Sequence, residues 1–73
     1  MIYELNHVRI EGSFLIVDAP DRYYALRISS ITSITKRYYP SDTTWDLILR
    51  VDGKRYSFSF NDAPTNIIER LMQ

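Results

Sequence analysis

The stretch from Trp45 to Phe60 constrains this chain more than any other. Two runs, Trp45-Asp46-Leu47-Ile48-Leu49-Arg50-Val51 and Lys54-Arg55-Tyr56-Ser57-Phe58-Ser59-Phe60, flank the dipeptide Asp52-Gly53. Asp-Gly is a preferred type I′ pair, because both central residues of that turn need positive φ. A two-residue loop there sets Leu49 opposite Tyr56, Leu47 opposite Phe58 and Trp45 opposite Phe60. Side chains alternate along a strand, so these six apolar groups share one face. Ile48 with Ser57, Asp46 with Ser59, and Arg50 with Arg55 then share the other. Two arginines directly opposite each other repel. Within the hairpin, that pair is the feature nearest to a functional signal.

A chain of 73 residues makes one domain, here residues 1–73. A domain of this size buries roughly 60% of the surface its unfolded form exposes. Small proteins compensate with disulfides, metals or oligomerisation. There is no Cys and a single His, His7. Disulfides and thiolate metal sites are excluded, a typical zinc site lacks ligands, and no cofactor is expected. A homo-oligomer is the remaining route, and six Tyr, three Phe and one Trp suit an interface.

The absence of Cys fits a reducing compartment. Met1-Ile2-Tyr3-Glu4 has no long apolar run and does not read as a signal peptide. No stretch approaches the length of a membrane span. The expectation is a complete cytoplasmic chain with no membrane partner. Formal charge is zero but unevenly spread: residues 22–55 hold seven bases against three acids, a net +4. A neutral whole argues against general nucleic-acid binding, which relies on many phosphate contacts, and leaves room for a local basic face.

Along the chain, Val8-Arg9-Ile10, the turn Glu11-Gly12-Ser13 and Phe14 to Asp18 read as strand, turn, strand. Ala19-Pro20-Asp21 is a second turn. Arg22 to Ile28 alternates, with Tyr24, Leu26 and Ile28 on one face. Ile28, Ile31 and Ile34 are then three apart, which fits neither a plain strand nor a long helix. A bend or bulge there turns a corner and keeps each Ile in the core. Thr35 to Tyr39 resumes as strand, and Pro40 to Thr44 is a loop. After the hairpin, Asp62 is positioned to cap a helix, with Ala63-Pro64 in its first turn. Ile67, Ile68, Leu71 and Met72 form its apolar stripe, with Ile68 and Leu71 expected to carry the packing. A helix of about ten residues is marginal alone and must pack.

The order of Ile31-Thr32-Ser33-Ile34, then Leu47 through Asp52-Gly53 to Phe58, then Ile67-Ile68-Glu69-Arg70-Leu71 resembles the later part of bacterial pleckstrin-homology-like domains. The resemblance spans about the last 45 residues and rests on apolar positions and one turn. The usual domain of that family is longer by several strands. The resemblance implies a non-enzymatic scaffold for protein or phosphate-bearing ligands, and carries over no functional residue.

Three kinds of chemistry bear on the residues present. For catalysis, the chain offers no Cys, no Gly-rich loop and one His, which could pair with Glu4 or Glu11 as a base. The sequence points to a protein that is not an enzyme. For anion binding, Arg50, Arg55 and Lys54 converge at the hairpin tip on the face opposite the aromatics, with Arg37 as a candidate addition. The bland reading is neutralisation by a nearby acid, or splaying into solvent. Asp21-Arg22-Tyr23-Tyr24, Lys36-Arg37-Tyr38-Tyr39 and Lys54-Arg55-Tyr56 repeat a basic-aromatic pattern. That pattern reads either as ordinary strand ends or as a surface that stacks bases and grips phosphates. For protein contact, Trp45 is placed in the core, while Tyr38, Tyr39 and Tyr23 are interface candidates. Tyr38 and Tyr39 cannot both point inward along one strand.

The fold expected is α+β: a strongly bent antiparallel meander of about five strands, with one C-terminal helix on its apolar face. The function expected is non-catalytic: a protein-interaction or self-assembling accessory module, of the size phages and mobile elements encode. Its partner is a protein or a second copy of itself. The alternative is a binder of single-stranded nucleic acid or a phosphorylated small ligand, such as a nucleotide, through an Arg/Tyr surface.

Overall fold

Two short 3-10 turns, at Leu5–His7 and Ile28–Ser30, divide the strands into two sheets. The computed structural model describes residues 1–73. The strands are β1 (Ile2–Tyr3), β2 (Val8–Glu11), β3 (Phe14–Ala19), β4 (Arg22–Arg27), β5 (Ile31–Tyr39), β6 (Thr44–Val51) and β7 (Lys54–Phe60), followed by helix α1 (Thr65–Leu71). One sheet runs β1-β7-β6-β5 and the other β2-β3-β4. The expected five-strand meander is therefore corrected to seven strands in sheets of four and three. The broader expectation of a β-rich domain with one C-terminal helix stands.

The β6–β7 hairpin has the register its turn dictates. Trp45, Leu47 and Leu49 face Phe60, Phe58 and Tyr56, and Arg50 faces Arg55. Asp52 and Gly53 both carry positive φ, 52° and 79°. The corner at Ile28 combines both devices that its spacing suggests. A 3-10 turn ends β4, and a bulge between Ile31 and Ser33 opens β5. The Ile28 amide donates to the Ser13 carbonyl (2.9 Å) and the Asp52 amide to the Ser30 carbonyl (3.3 Å), which ties the corner to both sheets. Ile28, Ile31 and Ile34 all pack against the core.

The core lies between the sheets. Leu15, Val17 and Leu26 from the small sheet meet Leu47, Leu49, Phe58 and Phe60 from the large one. Phe58 is its aromatic centre, with the Tyr3 and Tyr24 rings nearly perpendicular to it at centroid distances of 5.3 and 5.1 Å. Tyr3 arrives there because β1 pairs in parallel with β7, Tyr3 beside Phe60. Burial pushes the Tyr3 phenol above its ordinary pKa, and neighbouring Tyr24 adds to the shift.

Three expectations about the chain from Trp45 onward are corrected. Pro64, not Asp62, stands at the helix N-cap, and no side-chain hydrogen bond caps the helix. Pro64 lacks a side-chain acceptor, and its carbonyl instead takes the Ile68 amide (3.2 Å). The buried helical residues are Ile67 and Leu71, with Ile68 partly buried and Met72 73% exposed. Pairs 67/71 and 68/72 have the same spacing, so spacing alone does not say which pair faces the core. Trp45 is not in the core; it is half-buried. It sits on the core-facing side of β6, one residue into the strand, beyond the cover that the three short strands provide.

Candidate functional site

The large sheet ends in strands of very different length. On one side lies β1 with two residues, on the other β5 with nine. At about 3.3 Å per residue, β5 presents an edge about 30 Å long. β6 is its sole ladder partner. The Ile31 amide closes the preceding turn on the Ile28 carbonyl. Beyond the ladder to β6, no backbone hydrogen bond joins residues 32–38 to any other segment, so alternate N–H and C=O groups face outward. Such an edge is a template for pairing with another strand. Ile31, Thr32, Ile34 and Thr35 explain why the segment is extended, since β-branched side chains pack well on a pleated surface.

Proteins commonly blunt such edges with lysines and bulges. Both are present, and both leave part of the edge open. The bulge is confined to the start of the strand, so Ser33 to Tyr39 pair regularly with β6. The Lys36 ammonium is drawn inward over β6, 5.3 Å from the Trp45 ring. Tyr38 lies directly across from Trp45, with ring centroids 4.7 Å apart and planes tilted at 41°. Lys36, Tyr38 and Trp45 thus form an aromatic ledge where the core-facing side of the sheet runs out of cover. Tyr38 is 44% exposed there. Beside the opposite end of β5 lies an apolar groove of about 300 Å³ that includes Ile28, Ile31, Ile34, Leu71 and Met72.

The other candidates separate. Arg50 and Arg55 do face each other, both exposed, on the outer side of the large sheet. Neither has an acidic partner; among the Lys and Arg side chains, ion pairs occur only at Arg9, with Glu11 and Asp18. Arg50 turns back and donates to the Gly53 carbonyl (3.3 Å). Lys54 does not join them. Its position alternates with Arg55, so it belongs to the aromatic side, and its ammonium sits 5.4 Å from the Tyr56 ring. That corrects the expected three-residue convergence, and strand alternation is the reason. Arg37 shares the outer face but stands opposite Asp46, four residues along β6 from Arg50, or about 13 Å away. Asp46 is occupied by hydroxyl donors, Ser59 at 2.6 Å and Ser57 at 3.4 Å.

The interface tyrosines also divide. Tyr38 belongs to the ledge. Tyr39 alternates to the outer face, where it lines a shallow pocket with Thr44 and Asp46. Tyr23, 60% exposed, lies across from Asp18 on the small sheet. Two of the three basic-aromatic repeats close on themselves, Arg22 with Tyr24 and Lys54 with Tyr56, while in the third Lys36 reaches Trp45 on the next strand. Arg22 donates to the Tyr24 hydroxyl at 3.5 Å, a contact that raises the guanidinium pKa. His7 is engaged in structure: its Nδ1 accepts from the Glu4 amide (3.2 Å), and its Nε2 lies 3.5 Å from the Glu4 carboxylate. No three or more His, Cys, Asp or Glu side chains gather as a metal site, and no helix is long and apolar enough to cross a membrane.

Sequence reasoning missed the joint setting of Lys36, Tyr38 and Trp45. The available signal was the apolar alternation of β6 running one position past its buried stretch. Comparison with family models, curated proteins and solved structures gives no match.

Proposed function

We propose that this chain is a non-catalytic docking module that takes an extended segment of protein along the edge of β5. The observation that carries the reading is the unpaired edge from Ser33 to Tyr39, flanked by the Tyr38–Trp45 ledge at one end and the apolar groove at the other. Backbone groups on the edge supply affinity in this mode, and flanking pockets supply selectivity. The resemblance to pleckstrin-homology-like scaffolds belongs to the same proposal. Seven strands, rather than five, narrow the gap in strand number to that family.

The test is selection of extended peptides from a displayed library, followed by amide hydrogen exchange and NMR on the bound form. New amide protection confined to residues 31–39 is expected, with shifts there and at the flanking Trp45, Ile28, Leu71 and Met72. A selected peptide that maps to β2, β4 or the outer face of the large sheet overturns the assignment.

A second reading rests on one observation, the acid-free Arg50–Arg55 pair. Two guanidinium forks are suited to a phosphate. Arg50→Gln with Arg55→Gln relieves their repulsion, so the melting temperature should hold or rise by the equivalent of a few tenths of a kcal/mol. Salt-sensitive binding of short single-stranded oligonucleotides or nucleotides that vanishes in this variant supports the anion reading. No binding by the wild type discards it.

A further inference from the structure

We propose that the segment docking on β5 is the β5 of a second copy of this chain, antiparallel and two-fold symmetric about Thr35, with Tyr38 of each copy seated in the apolar groove of the other. The proposal rests on the docking reading above and specifies its occupant.

The register follows from charge and from the bulge. Continuing a sheet across a two-fold axis requires facing residues to lie on the same side of the sheet. The axis must therefore pass through a residue position. Centred on Lys36 or Arg37, the pairing sets two like charges directly opposite each other, which is destabilising. Centred on Ile34, it reaches the bulged Thr32 already with Lys36 and uses only Ser33 to Thr35 of the regular strand, against Ser33 to Arg37 when the axis lies at Thr35. Centred on Thr35, it sets Lys36 against Ile34 and Arg37 against Ser33. No like charges then meet, and the regular stretch is used. Thr35 is exposed and lies across from Ile48 on the outer face, so nothing of its own chain stands over the axis. The zero formal charge means that two copies approach without net repulsion.

Shape agrees with this register. One step beyond the Arg37–Ser33 pair, Tyr38 of the second copy comes alongside Thr32. Tyr38 points to the core-facing side, as its pairing with Trp45 requires. On that side, beside Thr32, lies the groove that includes Ile28, Ile31, Ile34, Leu71 and Met72. Tyr38 at 44% exposure and Met72 at 73% are two of the chain's most exposed large apolar side chains. The two-fold places one against the other twice. A self-complementary patch of this kind is what an isologous dimer needs, and two seated aromatic rings supply central anchors.

The chain has no cysteine, so single-cysteine variants report the register. Light scattering should give twice the 8.7 kDa chain mass at micromolar concentration. Thr35→Cys should cross-link across the axis under mild oxidation, while Ser57→Cys, exposed on the same sheet face two strands away, should not. Tyr38→Ala, and separately Met72→Lys, should each raise the dimer dissociation constant about ten-fold or more with circular dichroism unchanged. A dimer in which Thr35→Cys cross-links no faster than Ser57→Cys refutes this interface. A wild type that stays monomeric at every soluble concentration refutes the second copy as occupant. In that case, a selected peptide that still protects residues 31–39 preserves the docking reading, and its failure ends both.

Discussion

Replacing Phe58 by Leu tests whether the two sheets are held together through one ring. Phe58 is 2% exposed, and its ring makes T-shaped pairs with Tyr3 from β1 and Tyr24 from β4. Leucine keeps the site apolar but removes both aromatic pairs. Each pair is worth about 0.5–1.5 kcal/mol beyond burial, or about 1–3 kcal/mol together. The smaller side chain leaves a void whose lining adds about 1 kcal/mol. The expected loss is therefore about 2–4 kcal/mol. A domain of this length has about 4–11 kcal/mol in total, so the variant should fold but melt well below the wild type, by about 8 to 30 °C. The assay is urea denaturation followed by Trp45 fluorescence and far-ultraviolet circular dichroism, with a thermal melt in parallel. Coincident transitions, a lower midpoint and an unchanged slope are expected. A loss below about 1 kcal/mol would show that the sheets cohere without this ring, and the description of the core around Phe58 would fail.

Four further expectations follow from named geometry. Gly53→Val should cost about 1–3 kcal/mol through φ alone, since open space surrounds the position. Conversely, Thr43→Gly should stabilise by about 1 kcal/mol, because Thr43 is a β-branched residue held at φ 51°; denaturant midpoints decide both. Leu71→Ala should cost about 2–4 kcal/mol, whereas Met72→Ala, at a residue 73% exposed, should leave monomer stability unchanged; equal losses would contradict the helix orientation. Tyr3 titrates higher in the folded chain than in the unfolded one. Below the unfolded tyrosine value of about 10, the phenol is neutral in both states and its contribution is complete. That contribution is lost as pH rises from there through the folded value. Melts between neutral and alkaline pH should show the decline, and Tyr3→Phe should flatten it.

Legibility in the sequence followed the range of the forces involved. The Asp52-Gly53 turn acts over two residues, and the register from Val51–Lys54 to Trp45–Phe60 propagates from it. The Ile28-Ile31-Ile34 spacing announced a corner because a change of period is local as well. How many sheets the strands make was not legible, since Leu15 and Leu47 alternate alike whichever sheet they join. Nor was β1, whose two residues pair with a strand at the far end of the chain. For the candidate site, the exposed, facing Arg50 and Arg55 were readable from the turn. The Lys54 assignment failed on simple alternation, which the sequence already contained. The β5 edge was hidden for a deeper reason: an edge is defined by the absence of a neighbour, and a single sequence does not say which strands lie side by side.

The core draws on both extremities of the described chain: Tyr3 is buried beside Phe60, and Ile67 and Leu71 join the same cluster. The β6–β7 hairpin can close in microseconds, but by itself it exposes the face that holds Leu47, Phe58 and Phe60. Its shelter comes from residues that lie 21 (Leu26) to 44 (Tyr3) positions upstream of Leu47, and from a helix that begins only after the hairpin ends. Early and late segments must be gathered before the apolar face is rewarded, which places the rate-limiting event at the assembly of distant parts rather than at the turn. Removing residues from either extremity should therefore act on the whole domain at once, leaving no smaller unit that keeps its shape.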